Sequence, residues 1–350
     1  MGDGSGEPRP RKSALSQETE FLMKRAMIAL VLSVAVSRSS DSFGALLRFQ
    51  KVSDHCFYLQ LKESGENVAA IVTDEGILIV DPPSEPGLSA TADALKRLSP
   101  KPVRWVVFSN PRAVLSSGAR FFAQKGAMLL AGTQLRDLSA SIRETDTKET
   151  AVPGGSAGEL SSFPWLIFQH QINLFPSALE IRIIALQHKA MTGGDVVVHV
   201  PAEKVLFVGG LYEAARYPDI DTAAQGDAGG WVDGLKQVFD SVPVLKPAIP
   251  PKPAIAQVKT DPKAEPEKTL EEGIAVVSAR GDASNFQNLK DLLIACQKLR
   301  SDISRAIKAG RSCDEFLSST KADPYRGYGN LNAYATQLCE AVASSPEPAK

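Results

Sequence analysis

The sequence predicts a layered α/β protein in which β-hairpins come first and strand–helix–strand units follow. Short apolar runs such as Asn67–Val72 and Ile77–Val80 are separated by turn residues, as strands joined in hairpins are. Further along, the helical spacing of Ser89–Leu98 precedes the apolar run Val103–Phe108, which is typical of a buried strand after a helix. Hydrophobic residues make up 43% of the chain and can supply the core of such layers.

The same alternation continues along the chain. Residues 117–125 have a helical pattern. The remaining predicted strands are one that begins at Phe49 and those that cover 56–59, 127–131, 179–186, 196–200, 205–208 and 273–278. A long amphipathic helix follows, and its apolar stripe begins at Phe286. Ser284 with Gln287 predicts a capping box at its start, and Gly310 predicts its end. Two further helices are expected, one beginning at a capping box of Ser312 with Glu315 and one over 331–342.

Composition divides the 350 residues into four segments. The first is polar and rich in Gly, Pro and charge before it becomes apolar, and the third contains many prolines among Lys and Glu. The predicted segments are a disordered start with a signal peptide (1–43), an α/β core (44–245), a Pro-rich insertion or linker (246–272), and a last core strand with C-terminal helices (273–350).

The N-terminal segment predicts export. The basic residues of Met23–Arg25 are followed by the apolar run Ala26–Val36. Met23 is also an alternative first residue to Met1. Ala35 and Ser37 fit the small-residue rule for cleavage, so we expect a signal peptide and a periplasmic or secreted protein. The alternatives are a buried helix and an uncleaved anchor.

Composition also excludes several classes of partner. The chain has 39 Lys and Arg against 40 Asp and Glu, a net charge of −1, which argues against nucleic-acid binding. No apolar run approaches about 20 residues, so no stable membrane span is expected after signal cleavage. The four cysteines lack the spacing of a zinc finger. Export would allow one disulfide among Cys296, Cys313 and Cys339, and free buried thiols are the equal alternative.

The order of the pieces resembles the metallo-β-lactamase superfamily from about residue 49 to residue 310. The most specific match is Thr192–Tyr212, TGGDVVVHVPAEKVLFVGGLY. The other matching segments are Asn67 through Asp81, Val106–Ser109, Tyr217–Thr222 and Gly230–Trp231. The resemblance implies an αββα sandwich, two β-sheets flanked by helices, with a C-terminal helical extension like that of the exported branch. It also implies a cleft that holds one or two metal ions and a hydrolysis carried out by metal-bound hydroxide.

The metal ligands that the resemblance implies are missing. Zinc takes His, Cys, Asp or Glu donors, an amide is a weak donor, a thioether suits soft ions, and a guanidinium repels a cation. The superfamily's seven ligand positions correspond here to Asn110, Arg112, Val114 and Leu115 in place of H-x-H-x-D-H, and then to Met191, Gly210 and Arg280. We therefore expect no metal ligand, no zinc and no other cofactor.

Other candidate catalytic groups carry weaker signals. His188 lies three residues before Met191 and is a candidate for a shifted ligand or a general base, although a lone histidine is more often a hydrogen-bonding residue. His199 lies in an apolar strand and is either structural or exposed by alternation. Asp81 is expected to stabilise a turn. No serine, including Ser109, lies in a G-x-S-x-G elbow, so a serine nucleophile is not indicated.

Arg112 and Arg280 predict an anion-binding pocket. Two guanidiniums at positions that would ligate metal ions keep the cleft positive, and their planar forks suit carboxylate or phosphate. The alternative is that each arginine pairs with a nearby carboxylate, such as Asp195 or Glu213, or points to solvent.

These observations predict a non-catalytic, exported protein that binds a small anionic ligand or a protein partner on a degenerate hydrolase fold. The alternative is a hydrolase with a rebuilt active site, because a fold does not fix chemistry. No catalytic residue is assigned. The candidate residues of the degenerate cleft are Asn110, Arg112, His188, Met191, Gly210 and Arg280.

Overall fold

The computed structural model describes residues 46–135, 137–138, 164–242, 273–319 and 328–344. The predicted disordered start and signal peptide (1–43) and the Pro-rich insertion (246–272) lie outside these residues. Both segments therefore stay predictions.

One sheet contains seven of the described strands. They are β1 (Leu47–Lys51), β2 (Cys56–Leu61), β3 (Asn67–Val72), β4 (Ile77–Val80), β5 (Val103–Val107), β6 (Met128–Gly132) and β7 (Trp165–Phe168). Their order in the sheet is the order in the chain. Strands β1 to β4 form an antiparallel meander, and β4 to β7 run parallel. Parallel strands need crossover connections, and helices α1 (Gly87–Leu98) and α2 (Ser117–Gln124) supply two of them.

The other sheet contains six described strands. They are β8 (Gln171–Leu174), β9 (Ile181–Ala185), β10 (Val196–Val200), β11 (Val205–Gly209), β12 (Ala275–Ser278) and β13 (Ser284–Asn285). The order is β13-β12-β11-β10-β9-β8, with β11 and β12 parallel and the other neighbours antiparallel.

The two sheets face each other and form a sandwich. A Cβ atom built on Gly132 of β6 would lie 3.1 Å from the Cβ of Ala185 on β9, so the backbones of the two sheets approach closely there. Strands β4, β10, β11 and β12 are buried along their whole length, which requires a covering layer on both of their faces. Helix α1 packs on β3, and α2 packs on β5 and β6. This arrangement confirms the predicted αββα class.

The predicted C-terminal helical extension covers the second sheet. Its helices are α4 (Phe286–Lys308), α5 (Cys313–Ser319) and α6 (Leu331–Ser344), and helix α3 (Ala228–Ser241) of the core segment packs against α4 and α6. Trp231 of α3 is fully buried in the apolar cluster that these helices share with β10, β11 and β12. Its indole nitrogen donates to the carbonyl of Leu211, 3.1 Å away. No helix in the described part of the chain combines the length and the apolar character needed to cross a bilayer.

A disulfide joins Cys313 of α5 to Cys339 of α6, with Cα atoms 5.9 Å apart. Cys296, the third cysteine of the predicted set, is a buried free thiol on α4. One oxidised pair is therefore present, as one of the two expectations had it.

Some local predictions are confirmed and others are wrong. Gly310 follows the end of α4 in the left-handed region, at φ +78°, as expected of a helix stop. The capping box of Ser312 with Glu315 forms, with bonds of 2.8 and 3.2 Å. The N-cap of α4 is Asn285 rather than Ser284, because Ser284 is held in β13 by pairing with β12.

Four of the described strands and helices are not predicted from the sequence, namely β7, β8, β13 and α3. Strands β7 and β8 have only four residues each and β13 has two, which is too short for a clear period-two pattern. Helix α3 begins with Ala228-Gly229-Gly230, and glycine weakens a helical pattern although the Asp227 side chain caps it.

Candidate functional site

The carboxyl ends of strands from both sheets meet at one edge of the sandwich. Both carboxylate oxygens of Asp81, after β4, accept hydrogen bonds from Ser109, after β5: one from its backbone nitrogen at 2.7 Å and one from its hydroxyl at 2.5 Å. The carbonyl of Ser109 accepts from the backbone nitrogen of Val196 on β10, 2.8 Å away in the other sheet. We call the following set the strand-end site: Asp81, Ser109, Asn110, Arg112, Met191, Asp195, Gly209, Gly210 and Asp221.

Gly209 and Gly210 follow one another but have different steric surroundings. Gly209 has φ +54°, and a Cβ atom built on it would lie 2.2 Å from the hydroxyl of Ser109. Only glycine fits that close approach. A Cβ built on Gly210 would meet nothing closer than the side chain of Met191 at 3.7 Å. The structure therefore places the predicted candidates Met191 and Gly210 next to each other.

Asn110 uses its side-chain oxygen to shape the loop after β5. Its Oδ1 accepts from the backbone nitrogens of Arg112 and Ala113, at 3.0 and 3.1 Å, and so begins the 3₁₀ turn Ala113–Leu115. Its amide nitrogen donates to the hydroxyl of Ser109 at 3.1 Å. The oxygen that could approach a ligand is already bonded to the backbone.

Arg112 forms a two-pronged salt bridge with Asp221. Its Nε donates to one carboxylate oxygen, and its Nη2 donates to the other at 3.1 Å. Desolvation by itself would raise the pKa of Asp221, but the hydrogen bonds from Arg112 and from Ala224 outweigh it, and that pKa lies below its ordinary value. Asp221 is therefore ionised and neutralises the guanidinium.

Asp221 also fixes the loop on which it lies. Its carboxylate accepts from the backbone nitrogen of Ala224 at 3.0 Å and caps the 3₁₀ turn Thr222–Ala224. Its own backbone nitrogen donates to the carbonyl of Met191 at 2.9 Å. The Arg112 loop, the Asp221 loop and the Met191 loop are thereby held together.

Arg280 pairs with a different acid from the one that binds Arg112. It pairs with Glu66 at 3.4 Å, and 59% of its side chain is exposed. The carboxylates that pair with the two predicted arginines are thus Asp221 and Glu66, whereas the sequence suggested Asp195 or Glu213. Each guanidinium is balanced by its own acid, which weakens the charge argument for an anion pocket, and that pocket stays a prediction.

The predicted histidines differ in their surroundings. His188 is exposed, and its Cβ lies 3.8 Å from the position of a Cβ on Gly234, so it lies against α3. His199 is buried rather than exposed by alternation, and its Nδ1 has no hydrogen-bond partner. Burial lowers the pKa of His199 to about 4, so the ring is neutral at neutral pH.

Two carboxyl groups of the site have raised pKa values. Burial raises the pKa of Asp81 to about 6, against the opposing effect of its bonds from Ser109. Burial likewise raises the pKa of Asp195 to about 7. Asp195 is 2% exposed, and it accepts from the backbone nitrogen and the hydroxyl of Thr192 at 2.8 and 2.7 Å. Asp81 therefore does stabilise the strand-end turn, and both acids titrate near neutral pH.

The residues at this edge do not fit the zinc that the fold family implies. Val114 is buried and has no donor atom, and Arg112 is bound to Asp221. Nowhere in the described ranges do three or more His, Cys, Asp or Glu side chains gather as a metal site would require.

Sequence reasoning missed Asp221 as a functional residue, although its segment Tyr217–Thr222 was recognised. The available signal was local: an Asp three residues before Ala224 suits the cap of a helical turn. Nothing in the sequence places it beside Arg112, which is 109 positions away.

Comparisons with known proteins locate this architecture among solved structures. No family model matches the chain, and no curated protein matches it. A metallo-β-lactamase from Pontibacter korlensis superposes with a TM-score of 0.51 at 15% identity, covering 72% of this chain and 99% of that one. The stereoselective inverting sec-alkylsulfatase Pisa1 from a Pseudomonas species superposes with a TM-score of 0.59 at 13% identity, covering 85% of this chain and 49% of that one.

At identities this low, the superpositions establish the fold, and the chemistry has to be argued from the residues of the site. The superpositions support the arrangement of two facing sheets flanked by helices described above. The chain has the metallo-β-lactamase fold.

Proposed function

We propose that this chain is an exported, non-catalytic binding protein built on the metallo-β-lactamase fold. The observation that carries the proposal is the salt bridge between Arg112 and Asp221 in the strand-end site. By the sequence resemblance, Arg112 stands at a position where the superfamily carries a metal ligand, and its side chain is itself a cation. Its charge is balanced by an ionised acid, so the loops are closed on each other without a metal ligand.

The donor chemistry of the other positions supports the same proposal. Asn110 uses its oxygen to begin a turn, Met191 offers a thioether, and Gly210 offers no side chain. Restoring a zinc site would need several substitutions at once.

Export is supported by two independent features. The basic and apolar start of the sequence has the pattern of a signal peptide. The Cys313–Cys339 disulfide is the type of bond that persists in oxidising compartments.

The test is the zinc content of the full-length chain together with its hydrolytic activity. We expect protein that has been incubated with excess zinc and then desalted to retain far less than one zinc ion per chain. We also expect no turnover of a β-lactam, a lactone, a thioester or an alkyl sulfate ester above the buffer rate. One zinc ion per chain that survives mild chelation would overturn the proposal.

A rebuilt hydrolase site is the second candidate, and the observation that favours it is the pair of shielded acids. General acid–base groups work best when their pKa lies near the working pH, and the pKa values of Asp81 and Asp195 are about 6 and about 7. The hydroxyl of Ser109 donates a hydrogen bond to the carboxylate of Asp81.

The same substrate panel separates the two candidates when it is run with Ser109→Ala and Asp81→Asn. Turnover by the wild-type chain that falls at least about a hundredfold in both variants would establish the rebuilt site. A matched Asp233→Asn variant changes an acid on α3, outside this site, and should leave any turnover unchanged.

A further inference from the structure

A groove between helices α3 and α4, in the helical layer that covers the second sheet, is lined by positively charged side chains. It is open to solvent, has a volume of about 430 Å³ and has Val232 as an apolar wall. The polar side chains that line it include Lys236, Arg300, Ser301, Ser304, Arg305 and Lys308. We call this set the basic groove. Its lining contains four cationic side chains and no acidic one.

The spacing of these residues explains why they share one face. Arg300, Ser304 and Lys308 recur every four residues along α4, and Ser301 and Arg305 do the same beside them. Residues four apart on a helix are neighbours on its surface. Lys236 of α3 lines the groove from the other helix. The hydroxyls therefore alternate with cations, and all of these groups can donate hydrogen bonds.

Nearby acids organise part of this charge. Asp233 accepts from Lys236 and from Arg300, each at 3.0 Å. Asp302 pairs with Lys298 at 2.8 Å and also contacts Arg305. These two carboxylates thus pair with three of the four groove cations and with Lys298 beside the groove, so cations outnumber the acids that hold them.

Compensation of the helix dipole does not account for the arrangement. Cations in the last turn of a helix interact favourably with its negative end, and Arg305 and Lys308 are so placed. The effect fades beyond that turn, so it explains neither Arg300 nor Lys236, which belongs to another helix.

We propose that the basic groove binds a small, polyvalent phosphate compound. Several cations in one groove repel each other, and an anion with more than one negative charge relieves that repulsion better than a monocarboxylate does. Arginine forks and lysine ammonium groups both bind phosphate oxygens. The volume lies at the lower end of the range for small-molecule pockets, which favours a compact ligand. The proposal goes beyond the proposed function and does not rest on it.

The experiment measures pyrophosphate binding to the full chain by isothermal titration calorimetry, with acetate as the monovalent comparison. The groove variant is the triple Lys236→Gln, Arg305→Gln, Lys308→Gln, which leaves Arg300 and its bonds in place. The control variant Lys96→Gln, Lys125→Gln, Lys290→Gln removes the same charge from exposed sites outside the groove. Thermal unfolding monitored by circular dichroism checks that each variant is folded.

We expect the wild type and the control to bind pyrophosphate alike, and the groove variant to bind it at least roughly tenfold more weakly. Acetate should bind none of them measurably. A phosphate group on a lipid offers the same chemistry, so a second arm uses phosphatidylcholine vesicles that contain phosphatidic acid. Binding to vesicles without binding to pyrophosphate, no pyrophosphate binding by the wild type, or equal losses in both triple variants would each overturn the assignment.

Discussion

The strand-end site and the basic groove differ in how their cations are balanced by acids. In the strand-end site the guanidinium of Arg112 is matched by one acid, and burial raises the pKa of Asp195 to about 7. Beside the groove, desolvation would raise the pKa of Asp233, but the hydrogen bonds from Lys236 and Arg300 outweigh it and lower that pKa. The site thus favours neutral acids and balanced pairs, whereas the groove keeps its acid ionised among an excess of cations. The excess of positive charge lies in the helical layer rather than at the strand ends.

The largest expected effect is on the pH dependence of stability, which sharpens this contrast. Burial raises the pKa of Asp195 from 3.8 to about 7, so the folded chain holds a proton that the unfolded chain gives up. This contribution to stability is complete below about pH 4 and is lost as the pH rises through about 7. We expect the free energy of unfolding to be about 2–3 kcal/mol higher at pH 5 than at pH 7 from this group alone.

Urea unfolding of the wild type and of Asp195→Asn across that pH range measures the effect. The variant should be less stable, since an amide cannot accept both hydrogen bonds from Thr192, and its pH dependence should be flatter. Asp233→Asn is the matched control. Its lowered pKa acts in the opposite direction, with stability lost as the pH falls, so this variant should keep the decrease towards pH 7. An unchanged slope in Asp195→Asn would contradict the prediction.

The next effect concerns the packing that holds the strand ends together. Gly209→Ala would combine a positive φ with a Cβ atom 2.2 Å from the Ser109 hydroxyl, and we expect it to destabilise the fold by about 2 kcal/mol. Gly210→Ala is the control, because its Cβ would meet only Met191 at an ordinary distance. That substitution should stay within about 0.5 kcal/mol of the wild type in thermal or urea unfolding. Equal losses in the two variants would show that the close approach is not what fixes this edge.

The sequence predicts the framework because its signals are local. The apolar runs over Asn67–Val72 and Val196–Val200 and the capping box at Ser312 each depend on neighbouring residues, and the structure contains them. The stop at Gly310 is another signal of this kind, because it needs only one residue that tolerates a positive φ.

The partners within the site are not predictable in this way. Arg112 could be singled out by its place in a motif, but its carboxylate comes from a loop 109 residues later, and the choice among Asp195, Glu213 and Asp221 depends on the folded positions of the loops. The basic groove was missed for a related reason. Lys236 lies on α3, which its glycines made hard to recognise, and its position facing α4 follows from packing rather than from periodicity.

The smallest expected effect compares one ion pair from each region. Arg112–Asp221 is two-pronged and its acid is 21% exposed, whereas Arg300–Asp233 makes one contact and its acid is 34% exposed. Exposed pairs contribute up to about 1 kcal/mol, and better geometry and lower exposure increase the contribution. Double-mutant cycles with alanine should give a coupling energy of about 1 kcal/mol for the first pair and about 0.5 kcal/mol for the second. Raising the salt concentration should reduce the second more, because its carboxylate is the more exposed of the two. If the Arg300 pair had the larger and less salt-sensitive coupling, the groove would be the internally balanced region and the strand-end site the one with available charge.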